Sequence, residues 1–279
     1  MTDQVNLAQS SDALTVAAIA VLVYLLATVI HEGIGHGATC ASVGGKVISI
    51  TSVYCECEYR DLPRNRQRMV EAGGTAANLI FGLIFVAGLI LIRPASPTWR
   101  YFLLLSALVN LFLAGGYLMV SPLAGFGDWK AFLEGLSGKW AWTLALTAIG
   151  VLISLAALSF GREQIAWFCG ATDPPRSRQA WMLTALPYAT GALVSCSIAF
   201  LNPVDKFLVV SSAGAATLGG TCWLLWVGYL AGSHAANWDF PPAIVESNFI
   251  LIALALAAVV AWAALLGPGI SFGGAASPH

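Results

Sequence analysis

Two histidines and a glutamate lie close together in the stretch VIHEGIGHGA (29–38), at the end of a long apolar run. Histidine nitrogens are common zinc ligands, and a neighbouring carboxylate can take a proton from a water that the metal activates. Ionisable groups at membrane depth are costly to bury and tend to have a function. We therefore predict a site for one zinc ion on His31 and His36, with Glu32 as the base. The alternative is that all three are polar residues at a helix end.

The spacing of the histidines differs from the usual helical motif, H-E-x-x-H, because His31 and His36 are five residues apart. On a regular α-helix, residues five apart differ by about 140° around the axis. A π-type turn would bring them to one face, and Gly33 and Gly35 would tolerate such a bulge. Alternatively, Glu32 and His36 bind the metal and His31 supports them or acts as the base. Both interpretations keep a metal, and we favour the π turn.

A second polar feature is EAGGTAANLIFG (71–82), at the start of the next apolar run. Small residues such as Gly73 and Gly74 allow another helix backbone to approach closely. Asn78 places a carboxamide where lipid would offer it no partner. Taken alone, this pattern is equally typical of a helix-packing face.

A third feature is SPLAGFGDWK (121–130), after the third apolar run. Asp128 lies in a glycine-rich turn, from which its carboxylate could reach back towards the bilayer. We expect Trp129 to anchor that turn at the membrane interface. A lone aspartate in a loop is usually solvated, so its position relative to the histidines decides whether Asp128 is a metal ligand or an ordinary surface residue.

The composition identifies an integral membrane protein. Of the 279 residues, 58% are hydrophobic and 10% charged, and the mean hydropathy is +0.78. Runs of about 20 apolar residues can cross a bilayer as helices. We expect an all-α polytopic protein with about seven such helices, or six, and no soluble domain. The predicted spans are 13–36, 69–92, 101–121, 141–160, 181–201, 207–232 and 248–267. The first twelve residues lack Lys and Arg, so we expect the first span to be retained rather than cleaved as a signal.

The distribution of basic residues predicts the orientation. Eight Lys and Arg residues fall in the connections after spans one, three and five, and five fall on the opposite side. The positive-inside rule then places the N-terminus outside and the first connection in the cytoplasm. The three polar features share that cytoplasmic face, where two histidines and Asp128 could form a three-ligand zinc site with an open fourth position. The sequence contains no basic tract of the kind that would suggest a nucleic-acid partner.

These residues resemble the site-2 protease family of intramembrane zinc metalloproteases. That family carries H-E-x-x-H late in one transmembrane helix, a G-P-x-x-N type motif at the start of the next core helix, and an L-D-G motif after the third. The counterparts here are HEGIGH (31–36), AGGTAAN (72–78) and GFGDW (125–129). The resemblance covers about the first 130 residues, in the same order and on the same side. The six-residue motif H-E-x-x-x-H is also similar to that of the soluble dipeptidyl-peptidase III family.

The resemblance implies a role for each matching residue. His31, His36 and Asp128 would be the zinc ligands, and Glu32 would be the general base. Gly73, Gly74 and Asn78 would bind substrate, with Asn78 positioning its backbone or stabilising the oxyanion. The sequence departs from the family in the histidine spacing, in Gly74 where the family has proline, and in the residues around Asp128.

The stretch GGKVISITSVYCECEY (44–59) between the first two spans alternates β-branched residues and predicts a strand or hairpin. Site-2 proteases have a β element in this interval. It could bind an unwound substrate by strand addition, or it could be a surface hairpin that covers the helix ends. Cys55 and Cys57 would share one face of such a strand. We expect them to be ordinary reduced side chains, with a metal or redox role as the alternative.

The sequence therefore predicts a metalloprotease-like core at 1–136 and additional helices of unassigned role at 137–279. The expected function is cleavage of transmembrane protein substrates at the cytoplasmic face of a bacterial-type plasma membrane. A catalytically silent relative that binds a partner helix is the first alternative. A transporter is less favoured, because later spans contain almost no ionisable residues near the middle of the bilayer, where transport sites usually lie.

Overall fold

A computed structural model describes residues 10–92, 96–170, 175–202, 212–233 and 242–272. Its elements are helices joined by short connections, with a small sheet. In chain order they are α1 Ala13–Thr28, a π-helical segment π1 Val29–Ala38, α2 Thr39–Ser42, β1 Lys46–Ile50, β2 Cys55–Glu58, α3 Arg64–Leu91, α4 Pro97–Ala124, α5 Asp128–Leu133, α6 Lys139–Cys169, α7 Pro175–Met182, α8 Ala185–Ala199, π2 Ala215–Gly220, α9 Trp223–Ser233, α10 Phe249–Ala261, π3 Trp262–Leu266 and β3 Ile270–Ser271.

Six helical stretches within the described ranges are long and apolar enough to cross a membrane. They are Ala13–Ser42, Arg64–Leu91, Pro97–Ala124, Lys139–Cys169, Ser177–Ala199 and Phe249–Leu266. The predicted all-α polytopic membrane fold is confirmed. The predicted span at 207–232 lies partly outside the described residues, and its described part is interrupted at Cys222, between π2 and α9.

The helix α4 lies at the centre of the fold. Its residues Leu104, Leu108 and Phe112 are fully buried, and they belong to one core cluster with Ile19 and Val23 of α1. Its longest interfaces are with α3 and α6. Because α4 packs against both α1 and α3, the three helices that carry the polar features of the sequence form one packed unit.

The predicted hairpin is confirmed. β1 and β2 pair antiparallel, from Ile50 opposite Cys55 to Lys46 opposite Glu58, with a bulge between Val47 and Ser49. A third strand that the sequence did not predict, β3, pairs with the other edge of β1, so the sheet order is β2-β1-β3. Within the described residues, the open edges of the sheet are therefore the outer edge of β2 and that of the two-residue strand β3.

Candidate metal centre

The end of the first helix departs from α geometry over Val29–Ala38, which is π-helical. The departure predicted between Glu32 and His36 is thus confirmed. A π turn pairs residues five apart, so it brings His31 and His36 to the same face. Their ring centroids lie 5.0 Å apart, in an edge-to-face arrangement.

The two glycines of the motif have different surroundings. Neither Gly33 nor Gly35 has a positive φ, so the bulge does not depend on a left-handed residue. A Cβ at Gly35 would lie 2.5 Å from Cα of Gly74 and 2.8 Å from the carbonyl oxygen of Gly73, whereas at Gly33 the nearest atom would be 3.7 Å away. Gly35 is therefore required for the close contact between π1 and α3, and Gly33 is not.

Asp128 meets both histidines. Helix α4 ends at Gly125, in the left-handed conformation, and after Gly127 the chain enters α5 at Asp128. The Asp128 Oδ2 atom lies 3.2 Å from Nε2 of His36 and 3.6 Å from Nε2 of His31. Among the described residues, these three form the one group whose ligand atoms all lie within 4.8 Å of one another. Glu32 is not part of it, which favours the π-turn interpretation over the shifted register.

The hydrogen bonds of the imidazoles fix which nitrogens face the site. His31 Nδ1 lies 2.5 Å from Oδ1 of Asn78, and His36 Nδ1 lies 2.8 Å from the carbonyl oxygen of Val70. Carbonyl oxygens only accept hydrogen bonds, so each Nδ1 carries a proton and donates it. In the neutral imidazoles, each Nε2 then presents a lone pair towards Asp128.

Three acceptor atoms thus converge on one point. The Asp128 Oδ2 atom is buried and accepts no hydrogen bond from the part of the chain that the structure describes. Facing lone pairs in a buried site repel each other unless a positive charge lies between them. A proton can satisfy one pair of these atoms, whereas a divalent cation can satisfy all three.

Asn78 lies behind His31 and is fully buried. Its amide donates to Oδ1 of Asn110 at 2.8 Å and to the carbonyl oxygen of Ala27 at 3.4 Å, which leaves Oδ1 for His31. The resemblance implies that Asn78 contacts substrate, and its hydrogen bond here orients His31. Sequence reasoning missed Asn110, and the signal was a second carboxamide inside an apolar span.

Gly73 and Gly74, which the resemblance assigns to substrate binding, are both buried at the contact between α3 and π1. A Cβ at Gly73 would collide with the carbonyl oxygen of Gly35. A Cβ at Gly74 would collide with Nε2 of His31 and would lie 2.5 Å from Nε2 of His36. Only glycine at position 74 therefore leaves both ligand atoms uncovered.

The environment of Asp128 keeps its carboxylate charged. Burial on its own raises the pKa of this carboxyl group, but in the metal-free site the positive charge of a protonated His36 and hydrogen bonds from protonated His31 and His36 rings outweigh it. The pKa therefore lies well below its ordinary value. A carboxylate held ionised beside two imidazoles is a favourable binding site for a cation.

Two arginines of α3 hold the short helix α5 in place. Arg64 and Arg68 donate to its last carbonyl groups, with Arg68 Nε 3.1 Å from the oxygen of Phe132. Arg64 also forms an ion pair with the buried Glu71 at 2.9 Å. Cations at a helix C-terminus are stabilising, so these contacts secure the helix whose first residue is Asp128.

The prediction that Trp129 anchors the turn at the membrane interface is wrong. Trp129 is buried, and its indole N–H donates to Oγ1 of Thr75 at 3.0 Å. Its backbone N–H donates to Oγ of Ser121 at 3.1 Å. The tryptophan therefore attaches the Asp128 turn to α3 and α4 rather than to lipid.

A cavity of about 70 Å³, partly open to the outside, adjoins the cluster. His31 and Glu32 are among its lining residues, and no hydrogen bond or ion pair joins the Glu32 carboxylate to another described residue. Another part of its lining comes from α8 and from residues 212–217, in the half of the chain that the sequence left without a role. Sequence reasoning missed this part of the lining because those segments carry apolar and small polar residues without a motif.

Comparison with family models, with curated proteins and with solved structures gives no match to this chain. The donor set itself fits zinc, which binds imidazole nitrogen and carboxylate oxygen. Three observations agree with such an ion: the two Nε2 lone pairs that face Asp128, the buried Oδ2 without a hydrogen bond, and the space that a Cβ at Gly74 would fill. His31, His36 and Asp128 could hold a metal ion.

Proposed function

We propose that this protein is an intramembrane zinc metalloprotease that hydrolyses peptide bonds of transmembrane protein substrates near the cytoplasmic face. The observation that carries the proposal is the convergence of two imidazole lone pairs and a buried carboxylate oxygen, with a free Glu32 carboxylate beside them. Three protein ligands with an open fourth position are typical of catalytic rather than structural zinc sites.

Zinc bound here would lower the pKa of a coordinated water towards neutrality and polarise a peptide carbonyl. The residues of the chain supply the rest of the chemistry. Glu32 accepts the proton of the attacking water and passes it to the leaving amine. Asn78 keeps the His31 ring oriented through its hydrogen bond to Nδ1. The carbonyl oxygen of Val70 does the same for His36.

The cavity supports an extended peptide as the substrate. The hydroxyl groups of Ser52 and Ser195 line it and are buried without a hydrogen-bond partner among the described residues. A peptide unwound from a helix exposes backbone N–H and C=O groups, and these hydroxyls could bond to them. The proposed substrate is therefore a transmembrane helix that unwinds locally.

The open edge of β2 provides a second contact for such a peptide. β1 is paired on both sides and β3 has only two residues, so strand addition would occur on the outer edge of β2. Main-chain hydrogen bonds would then hold the segment extended whatever its side chains. The two contacts together favour substrates with helix-weakening residues near the cytoplasmic end of their span.

The test is cleavage of a single-pass model substrate in liposomes that contain the purified protein and zinc. Cleavage is expected with the wild type and is expected to fall by about 1,000-fold in Glu32→Gln, which keeps the size of the side chain but removes the base. Zinc binding should be retained in this variant, because Glu32 is not among the ligands. Cleavage that persists in Glu32→Gln would contradict the proposal. If the wild type binds zinc but cleaves no substrate, the alternative of a catalytically silent relative would be favoured instead.

A further inference from the structure

Three cysteines lie together where the hairpin packs against the end of the first helix. Cys40 of α2 is fully buried, and Cys55 and Cys57 of β2 are half-buried. The Sγ atoms of Cys55 and Cys57 are 3.5 Å apart, on the same face of the strand. Cys57 also packs against Cys40, in a small cluster with Val43 and Val70.

The arrangement of these thiols favours pairwise chemistry over metal binding. Within the described ranges, only His31, His36 and Asp128 form a group whose ligand atoms all lie within 4.8 Å of one another. The three cysteine sulfur atoms do not form such a group. A shared soft metal ion would need all three sulfurs around one point. Cys55 and Cys57, in contrast, are already in contact and need only a small movement to bond.

We propose that Cys55 and Cys57 form a reversible disulfide, which makes the hairpin a redox-responsive site. The oxidant is a hydroperoxide. One thiolate attacks the peroxide oxygen, which gives a sulfenic acid and releases water or an alcohol. The second thiol then attacks the sulfenic sulfur, the S–O bond breaks, and its oxygen leaves as water while the disulfide forms. Two thiols lose two electrons and two protons, and one peroxide bond is reduced.

The position of the pair on a strand makes the disulfide easy to reduce. Residues two apart in a strand are separated by about 6.6 Å, close to the upper limit for the Cα atoms of a disulfide. The bond therefore strains the strand, and strained disulfides have the more oxidising potentials of regulatory sites. Strand β2 can yield because it pairs with β1 on one side only.

Oxidation at this place would act on the segment that carries the metal-binding histidines. The Sγ atom of Cys55 lies 3.6 Å from the position of a Cβ at Gly37, in π1. Cys55 and Cys57 pair with Ile50 and Val47 of β1, so drawing them together distorts the hairpin register. The site itself, however, is defined by the thiols alone and does not depend on the proposed proteolysis.

Trypsin digestion tests the proposal directly, because cleavage after Lys46 and Arg60 releases VISITSVYCECEYR with only Cys55 and Cys57. The purified full-length protein is treated with hydrogen peroxide, blocked with an alkylating agent and analysed by mass spectrometry. We expect this peptide to lose two hydrogens, to carry no alkyl group, and to take up two alkyl groups after dithiothreitol treatment. Full alkylation after peroxide, or irreversible oxidation of both sulfurs, would overturn the proposal.

Variants separate this pair from the neighbouring thiol. Cys40 falls in the tryptic peptide 1–46, so a disulfide from Cys40 to Cys57 would join two peptides and would also overturn the proposal. Cys40→Ser should leave the disulfide in peptide 47–60 intact, whereas Cys57→Ser should abolish it. Cys222→Ser is the matched control, because Cys222 lies between π2 and α9, away from the hairpin, and should change nothing.

Discussion

Replacement of Gly74 by alanine adds one methyl group at the edge of the metal site. That methyl carbon would lie 2.5 Å from Nε2 of His36 and even closer to Nε2 of His31. Non-bonded atoms of this kind prefer separations of about 3.5 Å, so each imidazole must retreat by about 1 Å or more. Zinc–nitrogen bonds require about 2.0 Å, and functional sites tolerate displacements of only about 0.5 Å.

We therefore expect Gly74→Ala to lower zinc affinity by at least about 100-fold, since both ligands are displaced. The assay is a competition titration of zinc between the purified protein and a chelator of known affinity. Alanine is favoured over glycine in a helix by about 0.5–1 kcal/mol, so helix propensity alone would not destabilise the variant.

Gly88→Ala is the matched control, in the same helix. A Cβ there would meet its nearest atoms at 3.8 and 3.9 Å, which are ordinary contacts. Gly88→Ala should bind zinc like the wild type. Wild-type zinc affinity in a folded Gly74→Ala variant would refute the assignment of both Nε2 atoms as ligands.

Three further perturbations follow from the surroundings of the site. Asn78→Ala removes the acceptor that orients His31 and should lower zinc affinity by about 10–100-fold in the same titration. In metal-free protein, the depressed pKa of Asp128 means that its carboxylate stabilises the fold above about pH 4 and that this contribution is lost as the pH falls further. The thermal midpoint of the wild type should therefore approach that of Asp128→Asn on acidification. Arg64→Met leaves the buried Glu71 without its ion-pair partner. It should lower the unfolding free energy by about 2 kcal/mol in denaturant titrations, which is less than the full cost of breaking a buried ion pair, because Arg64 is partly exposed.

A specific result would contradict each of these three expectations. Unchanged zinc affinity in Asn78→Ala would mean that His31 does not need its partner. A wild-type advantage over Asp128→Asn that grows towards low pH would have the wrong sign. Arg60→Met, at an exposed position four residues before Arg64, is the control for Arg64→Met and should leave the unfolding free energy within about 0.5 kcal/mol of the wild type.

The sequence predicts the membrane fold and the convergence of the polar residues because both depend on short-range patterns. Apolar runs define the spans, and alternation of the spans brings His31, His36 and Asp128 to one face. The π turn is predictable because five-residue spacing is incompatible with one face of an α-helix. The hairpin follows from β-branched alternation in 44–59.

Features that depend on contacts between distant segments could not be predicted in this way. β3 pairs with β1 although the two strands are more than 200 residues apart in the sequence, and the part of the cavity lining formed by residues 212–217 has no sequence motif. The position of Trp129 depends on a hydrogen bond to Thr75 that its own neighbours do not reveal. Glycines in π1 suggested backbone freedom, but Gly35 is required for packing against α3.

The zinc content of the purified protein tests the central claim most directly. We expect about one zinc ion per chain in the wild type and in Glu32→Gln, and almost none in His36→Ala or Asp128→Ala, because these two lose a ligand. Metal analysis by mass spectrometry after removal of loosely bound ions gives the ratio. Equal zinc content in the wild type and in His36→Ala, or none in any of the four proteins, would contradict the account.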